Sequence, residues 1–181
     1  NQQNSLRDAF VASLTFDIFH KYADRIQMTN IAQMVNVLQS MILTKDEKMT
    51  VTPTYHVFRM YNVHQDATCL PLEIQTKTMD VRDNRTIPLV SATASKNEEG
   101  VIHISLSNVH LTDAQEIEIS MDDISKGKVS GEILTSESIN DHNTFENPNK
   151  VEPKTFNGAK FSEGKLTLKI PAKSIVTLTV N

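Results

Sequence analysis

Residues 23–37 read Ala-Asp-Arg-Ile-Gln-Met-Thr-Asn-Ile-Ala-Gln-Met-Val-Asn-Val and lie between two stretches with helical patterns. The central part, residues 26–32, is short and partly β-branched. Its polar residues carry no charge, which is typical of a strand with little water on either face. Two uncharged amides, Gln33 and Asn36, follow the predicted strand. We therefore expect a buried strand that presents two amides at its exit.

A helix is predicted on each side of this strand. Upstream, apolar residues recur at every fourth position from Leu6 to Ile18, which predicts an amphipathic helix over residues 5–22. Downstream, Thr52 followed by Pro53 is a typical helix start, because Thr caps the first turn and Pro suits its first position. We expect this second helix to end near residues 64–66. Residues 1–66 are thus predicted to form a partial α/β segment.

After about residue 70 the pattern changes to alternating apolar and polar residues. The alternating runs are residues 72–76, 90–95, 101–106, 116–119, 128–134, 165–170 and 175–180. Residues 97–100, Asn-Glu-Glu-Gly, are predicted to join two of them as a tight hairpin turn. Residues 136–159 are rich in Asn, Glu, Pro and Ser and predict a long surface loop. The fold class is mostly β, an antiparallel, jelly-roll-like β-sandwich over residues 67–181.

Composition excludes several function classes. The 181 residues are 39% hydrophobic and 22% charged with a net charge of −4, which is ordinary for a globular protein. Without a basic stripe, a metal-spaced histidine cluster or an apolar run of about 20 residues, we expect no nucleic acid, metal, cofactor or membrane partner. The polar start is not a signal peptide, and the single cysteine, Cys69, favours the cytoplasm. We expect the chain to be part of a longer protein.

Four motifs, in order along the chain, resemble one known family. They are Asp8-Ala9, Ala23-Asp24-Arg25, residues 30–37 and residues 55–61, Tyr-His-Val-Phe-Arg-Met-Tyr. This series resembles the C-terminal part of glycoside hydrolase family 51 α-L-arabinofuranosidases, which are (β/α)8 barrels followed by a β-sandwich. Within the sandwich, residues 97–99 and 106–108 resemble the same family more weakly. The resemblance implies that residues 1–66 are the last segment of a barrel and residues 67–181 its C-terminal sandwich.

The resemblance also implies a site. Active sites of such barrels lie at the C-terminal ends of the strands. In this family the glutamine that matches Gln33 hydrogen-bonds the arabinofuranose, and an amide can both donate to and accept from a sugar hydroxyl. The alternative for Gln33 is a core amide bonded to neighbouring backbone. Asn36 is a second candidate for substrate binding, and its alternative is an Asx turn at the strand exit.

The catalytic residues of the family are expected outside this chain. Retaining glycosidases need two carboxylates about 5–5.5 Å apart, and the resemblance places both glutamates on earlier barrel strands, upstream of Asn1. Asn97-Glu98 copies the family's catalytic Asn-Glu pair, but it lies in the predicted hairpin turn. We therefore predict that this chain alone is inactive.

Two functions remain open at this point. The first is a fragment of an enzyme that hydrolyses arabinofuranosyl-containing saccharides. The second is a structural or carbohydrate-binding β-sandwich module, although the chain has no Trp and no Tyr after residue 61 to form a sugar-stacking platform. The open barrel face predicts either a helical subdomain folded on the sandwich or self-association, and we expect a homo-oligomeric parent. In this family the sandwich can also borrow a strand from the far N-terminus.

Overall fold

The computed structural model describes residues 4–32, 34–121 and 127–181. It has two α-helices, thirteen strands and two 3₁₀ turns within these residues. The elements are α1 (Leu6–Lys21), β1 (Ile42–Lys45), β2 (Lys48–Val51), α2 (Pro53–Tyr61), a 3₁₀ turn (Asn62–His64), β3 (Thr68–Cys69), β4 (Thr78–Val81), a 3₁₀ turn (Arg82–Asn84), β5 (Arg85–Pro88), β6 (Val90–Lys96), β7 (Ile102–Asn108), β8 (Gln115–Ser120), β9 (Val129–Thr135), β10 (Lys154–Thr155), β11 (Ala159–Ser162), β12 (Lys165–Ile170) and β13 (Ser174–Val180).

Two antiparallel sheets form a β-sandwich, which confirms the predicted fold class. One sheet has the strand order β10-β9-β13-β7-β6-β3, and the other has the order β11-β12-β8. Alternation places apolar side chains between the sheets: in β12, Leu166, Leu168 and Ile170 are buried while the intervening residues are exposed. They pack against residues of the larger sheet, including Ile104 and Leu178.

A helical layer, made of α1, α2 and the 3₁₀ turn Asn62–His64, covers the opposite face of the larger sheet. A second buried cluster joins this layer to the sandwich. Its members are Leu6, Ala9, Phe10, Val57, Met60, Tyr61, Leu134, Val151 and Ile175. Because the helical layer covers β7 and β13 on one side and the small sheet covers them on the other, every residue of β7 is buried.

Both predicted helices are confirmed, and local chemistry explains where they begin. At α1 the Asp8 carboxylate accepts a hydrogen bond from the Ser5 N–H (2.8 Å), as in a capping box. At α2 the Thr52 hydroxyl accepts from the Tyr55 N–H (3.4 Å), and Pro53 opens the helix. The Asn97–Gly100 turn is also confirmed: the Asn97 side chain accepts from the Val101 N–H, and Gly100 takes a φ of +83°.

Two predicted strands are absent from the described residues. Residues 26–32 form no strand, and Met28 is 78% exposed, so the expected buried strand is wrong for this chain. Residues 72–76 also form no strand, and β4 begins only at Thr78. The physical reason is the same for both. A strand needs a neighbouring strand to bond its N–H and C=O groups, and none of the described strands pairs with either segment.

The long loop is largely confirmed, with two additions. Residues 136–153 contain no strand or helix, but β10 and the start of β11 fall within the predicted range 136–159. The loop also anchors α1, since the Leu6 N–H donates to the Asp141 carbonyl (2.9 Å). Neither described helix has the length and apolar character that a membrane crossing requires.

Candidate functional site

The predicted site lies around the segment that follows α1. Gln33 is outside the described residues. Asn36 is exposed and has a φ of 54°. Its Oδ1 accepts from the Thr44 N–H (2.8 Å) and its Nδ2 donates to the Thr44 hydroxyl (2.8 Å). Its amide therefore ties the segment before β1 to β1 itself. This contact spans eight residues, whereas the Asx turn considered from the sequence bonds the backbone two residues on.

Exposed apolar side chains are concentrated in the first 49 residues. Ten large apolar side chains are exposed among the described residues, and eight of them belong to residues 11–49: Val11, Ile18, Tyr22, Met28, Met34, Val35, Leu38 and Met49. We call these eight the apolar face. A concentration of exposed apolar side chains of this kind marks a surface that another part of a protein covers.

A cavity of about 210 Å³ lies beside the apolar face. Residues of three elements line it, among them Phe16 and Phe19 of α1, Thr29 and Asn30 of the following segment, and Phe58 of α2. The walls are mainly apolar. Its place between two helices and an irregular segment indicates incomplete packing, since well-packed interiors leave few voids larger than a water molecule.

Buried polar residues join the helical layer to the larger sheet. We call Asp17, His20, Tyr61 and His64, together with the sheet hydroxyls that they contact, the polar seam. Asp17 is 7% exposed; its Oδ2 accepts from the Ser91 hydroxyl (2.6 Å) and its Oδ1 from the Tyr61 hydroxyl (2.9 Å). Burial raises the pKa of the Asp17 carboxyl from 3.8 to about 6, and the two hydrogen bonds only partly oppose that rise. Burial, followed by the charge of Asp17, raises the pKa of Tyr61.

The seam continues through two histidines. His64 places Nδ1 at 2.7 Å from the Ser95 hydroxyl and Nε2 at 2.8 Å from the Ser105 hydroxyl. Burial, with smaller contributions from His20 and His103, lowers the pKa of His64 from 6.5 to about 3. Burial also lowers the pKa of His20. The seam therefore holds neutral imidazoles bonded to sheet hydroxyls.

None of the sequence-based predictions includes this seam, although the sequence carries a signal for it. Ser13, Asp17 and His20 follow each other at spacings of four and three residues, which places them on one side of α1. The polar side of β7 alternates in the same way, with His103, Ser105 and Ser107. Two polar stripes on elements that also carry apolar stripes indicate a polar contact between them.

An open slot separates residues 71–75 from β8 in the smaller sheet. Its volume is about 570 Å³, and Ala92 and Leu106 of the opposite sheet form its floor. Among the described strands, β8 pairs only with β12, so its other edge has no partner. Residues 71–75 run along the far side of the slot without pairing to β8.

The carboxylates of this chain do not form a buried glutamate pair. Every glutamate is exposed or half-buried, and Glu98 lies exposed in the β6-β7 turn. No group of three or more His, Cys, Asp or Glu within residues 4–32, 34–121 and 127–181 is arranged to hold a metal ion.

Comparison with known proteins gives consistent matches. The family model for the α-L-arabinofuranosidase C-terminal domain matches residues 1–174. An intracellular exo-α-L-arabinofuranosidase of Bacteroides ovatus is 63% identical over 177 residues, which are 98% of this chain and 34% of that protein. A probable α-L-arabinofuranosidase C of Aspergillus terreus is 28% identical over 142 residues, 75% of this chain and 28% of that protein.

Solved structures agree with these matches. The glycoside hydrolase family 51 arabinofuranosidase from Xanthomonas axonopodis pv. citri has a TM-score of 0.95 at 44% identity, covering 100% of this chain and 36% of that one. The thermostable enzyme of the same family from Thermotoga petrophila has a TM-score of 0.85 at 21% identity, over 99% of this chain and 39% of that one. At that identity the likeness shows the fold alone.

The chain spans about a third of the length of the relatives it matches. Over that span, the match of the family model and the two independent kinds of likeness agree with the motifs found in residues 8–61. The resemblance drawn from the sequence is confirmed, and the chain belongs to the family of α-L-arabinofuranosidase C-terminal domains.

Proposed function

We propose that this chain is the C-terminal part of a retaining α-L-arabinofuranosidase. The parent enzyme hydrolyses terminal, non-reducing α-L-arabinofuranosyl residues of polysaccharides and oligosaccharides by double displacement. The observation that carries this proposal is the 63% identity over 177 residues to a protein named as an exo-α-L-arabinofuranosidase.

The surfaces of the chain support this role. The proposed division is residues 1–66 as the last barrel segment and residues 67–181 as the sandwich. In the parent, the remaining barrel covers the apolar face, of which Leu38 is 67% exposed here. We also propose that a strand from elsewhere in the parent fills the slot beside β8, because a free strand edge over an apolar floor accepts an added strand. An uncovered apolar face would favour self-association.

The catalytic carboxylates, in this proposal, belong to barrel strands outside these residues. Exposed glutamates such as Glu98 have no buried partner of the kind a retaining pair needs. The sandwich then acts as a brace for the barrel, and Gln33 remains the proposed sugar contact. For Asn36, the two hydrogen bonds to Thr44 favour the role of holding the hairpin.

The first test measures hydrolysis of a chromogenic α-L-arabinofuranoside by the purified 181-residue chain. We expect no turnover above the uncatalysed rate, because general acid and nucleophile are both missing. The parent enzyme, assayed at the same molar concentration, is the positive control. Turnover that disappears when a residue of this chain is substituted would contradict the proposal.

The second test replaces Gln33 with Ala in the parent enzyme. We expect kcat/KM to fall roughly 10- to 100-fold, which corresponds to the loss of one or two hydrogen bonds to a sugar hydroxyl. Thermal stability should not change. Asn36→Ala is the comparison: we expect it to lower Tm through the β1-β2 hairpin, with a smaller loss of kcat/KM. An unchanged kcat/KM for Gln33→Ala would return Gln33 to the core-amide alternative.

A further inference from the structure

Asp17 occupies an unusual position between the two layers. It is the carboxylate of the polar seam. It belongs to α1 and accepts hydrogen bonds from Tyr61 at the end of α2 and from Ser91 on β6, so it links three elements. No cation within the described parts of the chain forms an ion pair with it, whereas Asp8 and Asp141 each have a cationic neighbour. A buried carboxylate held only by hydroxyls is costly to ionise.

We propose that Asp17 is a proton-operated latch, and that protonation of its carboxyl tightens the docking of the helical layer on the larger sheet. The neutral acid keeps both hydroxyl contacts, since a protonated carboxyl can donate one hydrogen bond and accept others. The ionised form keeps the same contacts but leaves a charge in a poorly solvated interface. Docking therefore weakens as the proton leaves.

A cleft next to Asp17 gives water a route to the ionised carboxylate. The cleft has a volume of about 470 Å³ and is lined by Asp17, Ser91, Cys69 and Lys21, with apolar walls from residues 70–72 and Ile74. Opening of α1 at this end would let water enter and solvate the charge. Since none of the residues of the sandwich core belongs to α1, we expect local opening at this end of the helix to leave that core intact.

The groups that face Asp17 come from every packed element. α1 contributes Lys21, which lines the same cleft, and α2 contributes Tyr61, which bonds to Asp17. The rings of His20 and His64 lie 6.1 and 5.5 Å from the Tyr61 ring. Segment 69–74 contributes Cys69. The larger sheet contributes hydroxyls from β6, and His103 of β7 adds to the electrostatics of His64. Burial lowers the pKa of both His20 and His64, so neither of these two histidines compensates the Asp17 charge at neutral pH.

The direction of the pH effect follows from the pKa of Asp17. Because the folded pKa, about 6, lies above 3.8, the docked state holds the proton more tightly. The contribution of the protonated Asp17 carboxyl to the stability of docking is fully present below about pH 4 and is lost as the pH rises through about 6. Two pKa units correspond to a change of roughly 100-fold in the docking equilibrium. His64 acts in the opposite sense, losing stability as the pH falls from 6.5 towards 3.

The experiment uses the full chain and follows two quantities between pH 4 and pH 7.5. The Asp17 carboxyl is titrated by its ¹³C chemical shift. Amide hydrogen exchange, corrected for the intrinsic effect of pH, compares α1 with β12. We expect a titration midpoint near 6. Measured against the Asp17→Asn variant, so that the opposing effect of His64 cancels, we expect a loss of α1 protection of up to roughly 100-fold and no difference in β12. Ser91→Ala should raise the midpoint, because that hydroxyl stabilises the ionised form.

Asp17→Asn is the matched control. Asn keeps the shape and can bond both hydroxyls without a charge, so the fall in α1 protection caused by Asp17 should be absent and the opposing effect of His64 should remain. A midpoint near 4 would overturn the proposal. So would an equal pH dependence in the Asn variant, or a parallel loss of protection in β12, which would place the effect on the whole fold.

Discussion

Met60→Ala is expected to lower the free energy of unfolding by about 3 kcal/mol, within the range for removal of a large buried side chain. Met60 is fully buried in the cluster that joins α1 and α2 to Leu134 and Ile175 of the larger sheet. Because helices and strands share this cluster, the loss should appear as one cooperative transition in chemical denaturation. Circular dichroism and a sandwich-specific probe should give the same midpoint.

Met49→Ala provides the matched control, since the same side chain is removed from a site that is 65% exposed. We expect its effect to stay within about 0.5 kcal/mol. Two separate transitions in the Met60 variant, with the sandwich unaffected, would contradict the shared cluster. They would show instead that residues 1–66 and 67–181 unfold as separate units.

Asn108→Ala is expected to destabilise the sandwich by about 3 kcal/mol or more. Asn108 is fully buried at the end of β7, and its Nδ2 lies within 2.9–3.2 Å of the carbonyls of Asp113, Ile170 and Pro171. Its Oδ1 accepts from the His110 N–H at 3.0 Å. Truncation leaves several backbone groups without a hydrogen-bond partner, and each buried unpaired group costs about 1–3 kcal/mol.

The measurement for Asn108 is the midpoint and slope of urea unfolding. Asn157→Ala is the control, because Asn157 is exposed and adjacent to the sandwich. An Asn108 variant as stable as this control would show that water replaces the amide at the junction. That outcome would remove Asn108 as the group that ties the end of β7 in one sheet to the end of β12 in the other.

Local signals in the sequence predicted much of the fold. The recurrence of apolar residues from Leu6 to Ile18 and the Thr52-Pro53 pair located both helices, since both signals lie within the helices themselves. The alternation in residues 165–170 matched β12 at both ends. Each of these features depends on neighbours in sequence, so no knowledge of distant residues is needed.

Long-range pairing could not be predicted in the same way. Residues 72–76 alternate as a strand should, yet they run unpaired beside the slot. Residues 26–32 have the composition of a buried strand, yet five of the seven lie exposed and none is buried. A periodic pattern reports which side chains prefer burial, whereas strand formation also requires a partner edge, which the pattern does not contain.

The sequence by itself determined the family, the two helices and the alternating strands of the sandwich. Only the tertiary structure decided that the polar side of β7 faces helices and not water. It also brought Asp17 to Ser91, 74 positions away along the chain. The physical reason is that alternation fixes two faces of a strand but not what covers them, and the charge state of Asp17 depends on that covering.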